Sequence, residues 1–80
     1  MDKPETQDAF EFLKTNIGCK LKGLRIDAGY NSYEVFALNN KISRTHYWKM
    51  VKGTNCTLKN LKRVLDIHGV RMNAFFKSLF

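Results

Sequence analysis

The chain has 80 residues, 44% of them hydrophobic, and a single proline, which bounds it to one folded domain with a small core and excludes a disordered chain. Lys and Arg number 14 against 7 Asp and Glu, a formal charge of +7. No apolar run approaches the ~20 residues of a membrane span. The opening MDKPETQDAF lacks the basic-then-apolar order of a secretory leader, so the expectation is a cytoplasmic protein in which Cys19 and Cys56 are free thiols.

The first predicted element is a long helix. Phe10, Leu13, Ile17, Leu21, Leu24 and Ala28 recur at steps of three and four, which is one helical stripe, and Gly29 follows where a left-handed cap belongs. Gly18 and Gly23 weaken this run by ~1 kcal/mol each. A break near Asn16-Ile17-Gly18 would set off a short leading helix. Residues 1–16 are also acidic on balance, with Asp2, Glu5, Asp8 and Glu11 against Lys3 and Lys14.

Asn31 caps the second helix in this reading, with Glu34 three residues on reaching back in a capping box. That helix runs from Ser32 to Leu38 with Val35, Phe36 and Leu38 as its apolar positions. Asn39-Asn40-Lys41 then forms a tight turn, because Asn tolerates positive φ better than other non-glycine residues.

The third element, ISRTHYWKMVKG (Ile42 to Gly53), is ambiguous by composition. Wound as a helix from a Ser43 cap, it places Arg44, Thr45, Trp48, Lys49 and Lys52 in one sector and His46, Tyr47, Met50 and Val51 in the other. As a strand it would mix basic and apolar residues on one face. The helical period sorts the chemistry, and Gly53 provides the stop. A fourth helix starts at a Thr57 cap, carries Leu58, Leu61, Val64, Leu65 and Ile67, and stops at Gly69. A short fifth carries Met72, Phe75, Phe76 and Leu79. The expected fold is all-α with five helices.

Charge marks the middle of this chain. From Lys41 to Arg63 there are seven basic residues, namely Lys41, Arg44, Lys49, Lys52, Lys59, Lys62 and Arg63, and no acid. A one-sign field on a compact segment points to a polyanionic partner; the bland alternative is a solvated basic surface.

Two short helices joined by a tight turn, the second basic on its outer face, make a helix-turn-helix pattern. The blocks IGCKLKGLRIDAGY, FA, ISRTHYWKMVKG and LKNLKRVLDIHGV, in this order and spacing, resemble the phage-repressor/Cro-type helix-turn-helix family, also called the XRE family. The resemblance covers Ile17 to Phe76. It implies a compact lambda-repressor-like helix-turn-helix domain over residues 17–80, preceded by an N-terminal helical extension over residues 1–16.

By that resemblance Ala37 is the small residue at the helix crossing, and Tyr47 and Met50 are the buried positions of the recognition helix. Arg44, Thr45 and Lys49 fall at positions that face base edges. Arg44 is the strongest candidate for specificity, since a guanidinium donates two bonds to O6 and N7 of guanine. Trp48 joins the base-contact set through a sugar or a thymine methyl, or else packs against a neighbouring helix or subunit. The expected phosphate contacts are Ser32, Tyr33, Lys41, Ser43, Lys52, Thr54 and Asn55, which position the protein without reading sequence.

The chain departs from the family pattern at four places. The Glu that commonly pairs with the first-helix Arg is replaced by Val51, which leaves Arg25 to pair elsewhere, face solvent or reach a phosphate. Lys41 stands at the turn's usual glycine, with Asn40 at the preceding apolar position. One residue is inserted between Gly29 and the second helix. His68 stands where a core leucine is common.

Cys19, His46, Cys56 and His68 lack the close pairs of a zinc site, and no phosphate loop or acid–base constellation is visible, so neither a metal, a cofactor nor catalysis is expected. The expected function is sequence-specific binding of double-stranded DNA. The chain would act as a transcriptional regulator, a repressor by promoter occlusion, and as a homodimer on a near-palindromic operator. It would then lie at the nucleoid. Two alternatives stand beside this. An antitoxin-like module would bind a toxin partner and use DNA binding for autoregulation, which the acidic N-terminal segment would fit. RNA binding would fit the basic–aromatic mix, but no single-strand stacking platform is visible. Phe10, Phe12 and Leu13 either cover the core or form a homodimer interface, for which the terminal FFKSLF is the other candidate.

Overall fold

The computed structural model describes residues 3–53 and 56–79, residues 3–8 by their backbone. Five helices follow one another: α1 (Lys3–Asp27), α2 (Tyr33–Asn39), α3 (Arg44–Val51), α4 (Leu58–Ile67) and α5 (Met72–Ser78). No strand occurs among the described residues. Leu21 from α1, Phe36 from α2, Tyr47 and Met50 from α3, Leu61, Val64 and Leu65 from α4, and Phe75 from α5 form one buried cluster. Every helix therefore contributes to a shared core, and none is long and apolar enough to cross a membrane.

Helix α1 runs unbroken through Asn16, Ile17 and Gly18, so the leading helix is not set off. The reason is tertiary. Gly18 is buried beneath the last turn of α3, where an added Cβ would overlap the Val51 carbonyl oxygen and stand 3.2 Å from that of Met50. The residue that weakens the helix locally is the one that lets α3 approach. Gly23, five residues on, has nothing within 4 Å of the same position.

The chain leaves α1 through a Schellman motif. Gly29, at φ 94°, donates to Ile26 O, and Tyr30 donates to Arg25 O. The cap of α2 is Ser32, not Asn31: its Oγ accepts from Val35 N at 3.3 Å. This puts Glu34 in the first turn, one residue too early to close a capping box. Asn31 serves differently. Its carbonyl, with that of Tyr30, accepts from the Arg25 side chain at 3.3 and 3.0 Å. Arg25 is 7% exposed and ties α1 to the loop after it, which is how it is satisfied without a Glu. On α2 Phe36 and Ala37 are buried, whereas Val35 and Leu38, the other apolar positions, are exposed.

The α2–α3 turn repeats the Schellman pattern without a glycine. Lys41 donates to Leu38 O, Ile42 donates to Ala37 O at 2.9 Å, and Lys41 itself takes φ 57°. Asn40, the cap residue before it, lies at φ −104° with its Nδ2 donating to Phe36 O at 2.8 Å. A lysine in the left-handed region costs about 1–2 kcal/mol. Lys41→Gly is expected to recover part of that, about 0.5–1 kcal/mol after the glycine's larger unfolded-state entropy is counted. The check is a higher urea midpoint with an unchanged slope.

Helix α3 begins at Ser43, whose Oγ accepts from His46 N, and buries Tyr47 and Met50. His46 and Val51 mark the two edges of the inner sector. Val51 is half-buried against α1, whereas His46, in the first turn with no element over it, is exposed. The Tyr47 hydroxyl donates to Leu21 O at 3.4 Å, and burial raises its pKa against the opposing pull of the nearby Arg25 guanidinium.

Thr57 caps α4 through Asn60 N, and Gly69 closes it with Val70 N on Leu65 O. Leu58, at the start of α4, is exposed. It borders an apolar groove of about 180 Å³ lined by Phe10, Leu13, Ile17, Met50, Leu61 and Phe76 among others. Phe10 and Leu13 thus flank the core, while Phe12 points away from it and is exposed.

His68 fills the expected leucine position as a flat ring, stacked on Phe36 with centroids 5.1 Å apart and planes 5° from parallel. Its Nε2 is closed off from solvent with no hydrogen bond among the described residues. Burial lowers its pKa below 6.5, so the unfolded chain takes the proton before the folded one does. Its contribution is fully present above pH 6.5 and is lost as pH falls through the lower folded value. His68→Leu is expected to flatten the decline in denaturation midpoint between about pH 7 and 5, above the carboxylate range. An equal decline in both proteins would assign the acid sensitivity elsewhere.

Candidate nucleic-acid interface

The packing of α2 against α3 decides which side chains share a surface. Ala37 and Phe36 hold α2 down, Tyr47 and Met50 hold α3 down, and the Phe36 and Tyr47 rings meet at 5.1 Å. Both helix N-termini are set by serine caps, so the first turns of α2 and α3 have defined positions. Tyr33 and Glu34 of α2 and Arg44, Thr45 and Trp48 of α3 line one open cleft of about 280 Å³. Four residues expected at DNA, namely Tyr33, Arg44, Thr45 and Trp48, are thereby brought together.

The Arg44 side chain is 70% exposed. Its Nη1 lies 3.5 Å from Glu34 Oε2, a single contact at the limit of a hydrogen bond. Trp48 is 42% exposed, and its ring lies under the Lys52 ammonium, 5.6 Å from the centroid. A cation–π contact of this kind at an exposed site is worth about 0.5–1 kcal/mol. Lys49 is exposed on the same helix.

The expected phosphate contacts divide. Lys41 and Lys52 are exposed cations at the two ends of α3. Ser32 and Ser43 spend an oxygen lone pair on their caps and keep a hydroxyl hydrogen to donate. Tyr33 is half-buried at the cleft. Thr54 and Asn55 lie outside the described residues.

Two features escaped the sequence reading. Arg63 of α4 donates to the Lys41 carbonyl at 2.8 Å, which supports the strained turn and carries the basic surface onto α4. Lys62 is paired with Asp66 at 2.9 Å, so its charge is locally offset. The Lys62–Asp66 spacing of four was a legible signal for an intrahelical pair. Nothing local links Arg63 to Lys41 or Arg44 to Glu34, because those contacts exist only once the helices cross.

Chemically, the surface offers guanidinium, ammonium, hydroxyl and indole groups on a convex helix. Glu34, beside Arg44, is the carboxylate among the described residues that line the cleft. Cys19 and Cys56 are free and exposed, on α1 and just before α4. No protein-family model, curated protein or solved structure matches this chain.

Proposed function

We propose that this chain is a phage-repressor/Cro-type helix-turn-helix protein that binds double-stranded DNA in a sequence-specific way and regulates transcription, mainly by occluding a promoter. The observation that carries the reading is the outer face of α3. Arg44, Thr45, Trp48, Lys49 and Lys52 project from a helix anchored on its other side by Tyr47 and Met50, with no acid in the helix itself. In this reading α3 lies in the major groove, where Arg44 donates to guanine and Lys41 and Lys52 to phosphates. Recognition is completed by a homodimer on two half-sites about one helical turn of DNA apart.

The basic field supplies the sequence-independent part of the affinity by releasing counterions. Lys52→Ala is therefore expected to weaken all duplexes alike and to lower the salt slope by about one. An unchanged slope would place Lys52 away from phosphate. The test of the reading as a whole is selection of bound sequences from a random duplex pool, with an enriched near-palindrome as the expected result.

A second reading, an interaction module of antitoxin type whose DNA binding is autoregulatory, draws on the apolar groove between α1, α4 and α5. Absence of enrichment in the same selection would favour it.

A further inference from the structure

We infer that Glu34 is a positioning residue for specificity: it orients the Arg44 guanidinium toward guanine and disfavours every site at which Arg44 finds no guanine. The inference rests on the DNA-binding reading above. Glu34 and Arg44 are ten residues apart, on different helices, and meet at 3.5 Å between Oε2 and Nη1. Both backbones are held. Glu34 follows the Ser32 cap and precedes the buried Phe36 and Ala37, while Arg44 follows the Ser43 cap. The side chains, in contrast, are 56% and 70% exposed, so the pair adds little to folding.

Geometry suits a recognition role better. One contact through Nη1 occupies a single edge of a group that carries five N–H donors in a fixed fork. The remaining donors are free to span O6 and N7 of guanine, with the carboxylate behind them limiting the rotation of the plane. Tyr33, Thr45 and Trp48 bound the same cleft and restrict where the guanidinium can swing.

Charge supplies the other half of the argument. Between Lys41 and Arg63 the chain has no acid, and Glu34 is the carboxylate that the fold places in this cleft. A carboxylate facing DNA is repelled by phosphates and by base acceptors. Over a guanine, Arg44 lies between Glu34 and the base, and the repulsion is masked. Over other bases it is not masked, and non-specific binding is weakened more than specific binding.

The experiment compares wild type, Glu34→Gln, Arg44→Ala and the double variant. Each is titrated on the duplex selected by wild type and on random duplex of equal length, over a range of salt, and each is put through selection again. Glu34→Gln keeps the shape of an exposed side chain, and its melting temperature is matched to wild type as a control. The expected result is tighter binding of random duplex and a cognate-to-random ratio that falls about tenfold, the discrimination of one good base contact. The base pair that loses preference is the one lost in Arg44→Ala, and in that background Glu34→Gln tightens both duplexes alike without changing the sequence profile further. Equal tightening on both duplexes with an unchanged sequence profile would reduce Glu34 to a bulk charge and overturn the inference. So would a cytosine preference that survives Arg44→Ala and disappears in Glu34→Gln, since Glu34 would then touch a base itself. Failure of wild type to enrich any duplex would instead overturn the DNA-binding reading, and this inference with it.

Discussion

Gly18→Ala is expected to destabilise the protein by about 2 kcal/mol, although alanine is the better helix former. The added methyl meets backbone, the carbonyls of Val51 and Met50, and not the movable end of a side chain. Relief requires α3 to shift away from α1, which also loosens Tyr47 over Leu21 and Met50 in the core. The gain in helix propensity, about 1 kcal/mol, offsets part of a cost of about 3. For a domain of this size the net change lowers the melting temperature by about 10–15 °C. Gly23→Ala provides the control in the same helix: with open space around it, it is expected to stabilise by about 0.5–1 kcal/mol. Two melting curves displaced in opposite directions would establish the close crossing. A Gly18→Ala curve displaced upward with that of Gly23→Ala would rule it out.

The second large effect is expected at Arg44. Arg44→Ala should cost about 1–3 kcal/mol on the cognate duplex and relax preference at one base pair, while random duplex is affected less. Arg44→Lys separates charge from geometry. It keeps the cation but loses the planar fork, so preference should fall nearly as far while random-duplex affinity stays close to wild type. Titration of both variants on both duplexes is the measurement. Equal losses on cognate and random DNA would remove Arg44 from readout and leave it as an electrostatic contact. Arg44 is 70% exposed and its one side-chain contact among the described residues is Glu34, so folding should be unchanged and binding can be read directly.

Much of the fold was legible because its signals are local. The stops at Gly29, Gly53 and Gly69 coincide with positive φ, and the caps at Ser43 and Thr57 accept the expected bonds. The burial of Tyr47 and Met50 follows from helical period, and that of Ala37 was implied by the resemblance. The cap of α2 was misplaced by one residue, since Asn31 and Ser32 are both good cap residues and only the arriving chain chooses between them. The tight turn expected at Asn39-Asn40-Lys41 is present, and its positive φ falls on Lys41, the residue at the turn's usual glycine position.

Of the candidate interface, the period of α3 indicated which residues share its outer face, and the basic run marked the charge of the region. The partnership of Arg44 with Glu34 and the support of Lys41 by Arg63 did not appear, because neither pair is within one helical turn in sequence.

The amino-acid sequence by itself determined an all-helical chain, its five segments, the faces of α3 and the sign of the surface charge. These depend on residues within about four positions of one another. Tertiary structure decided the rest. It turned Gly18 from a weak point of α1 into the crossing point with α3, and sent Arg25 to two loop carbonyls. It laid His68 on Phe36, and left Leu38 and Leu58 at the surface. Each of those outcomes depends on which helix lies against which, and close packing of a shared core settles that for the whole chain at once.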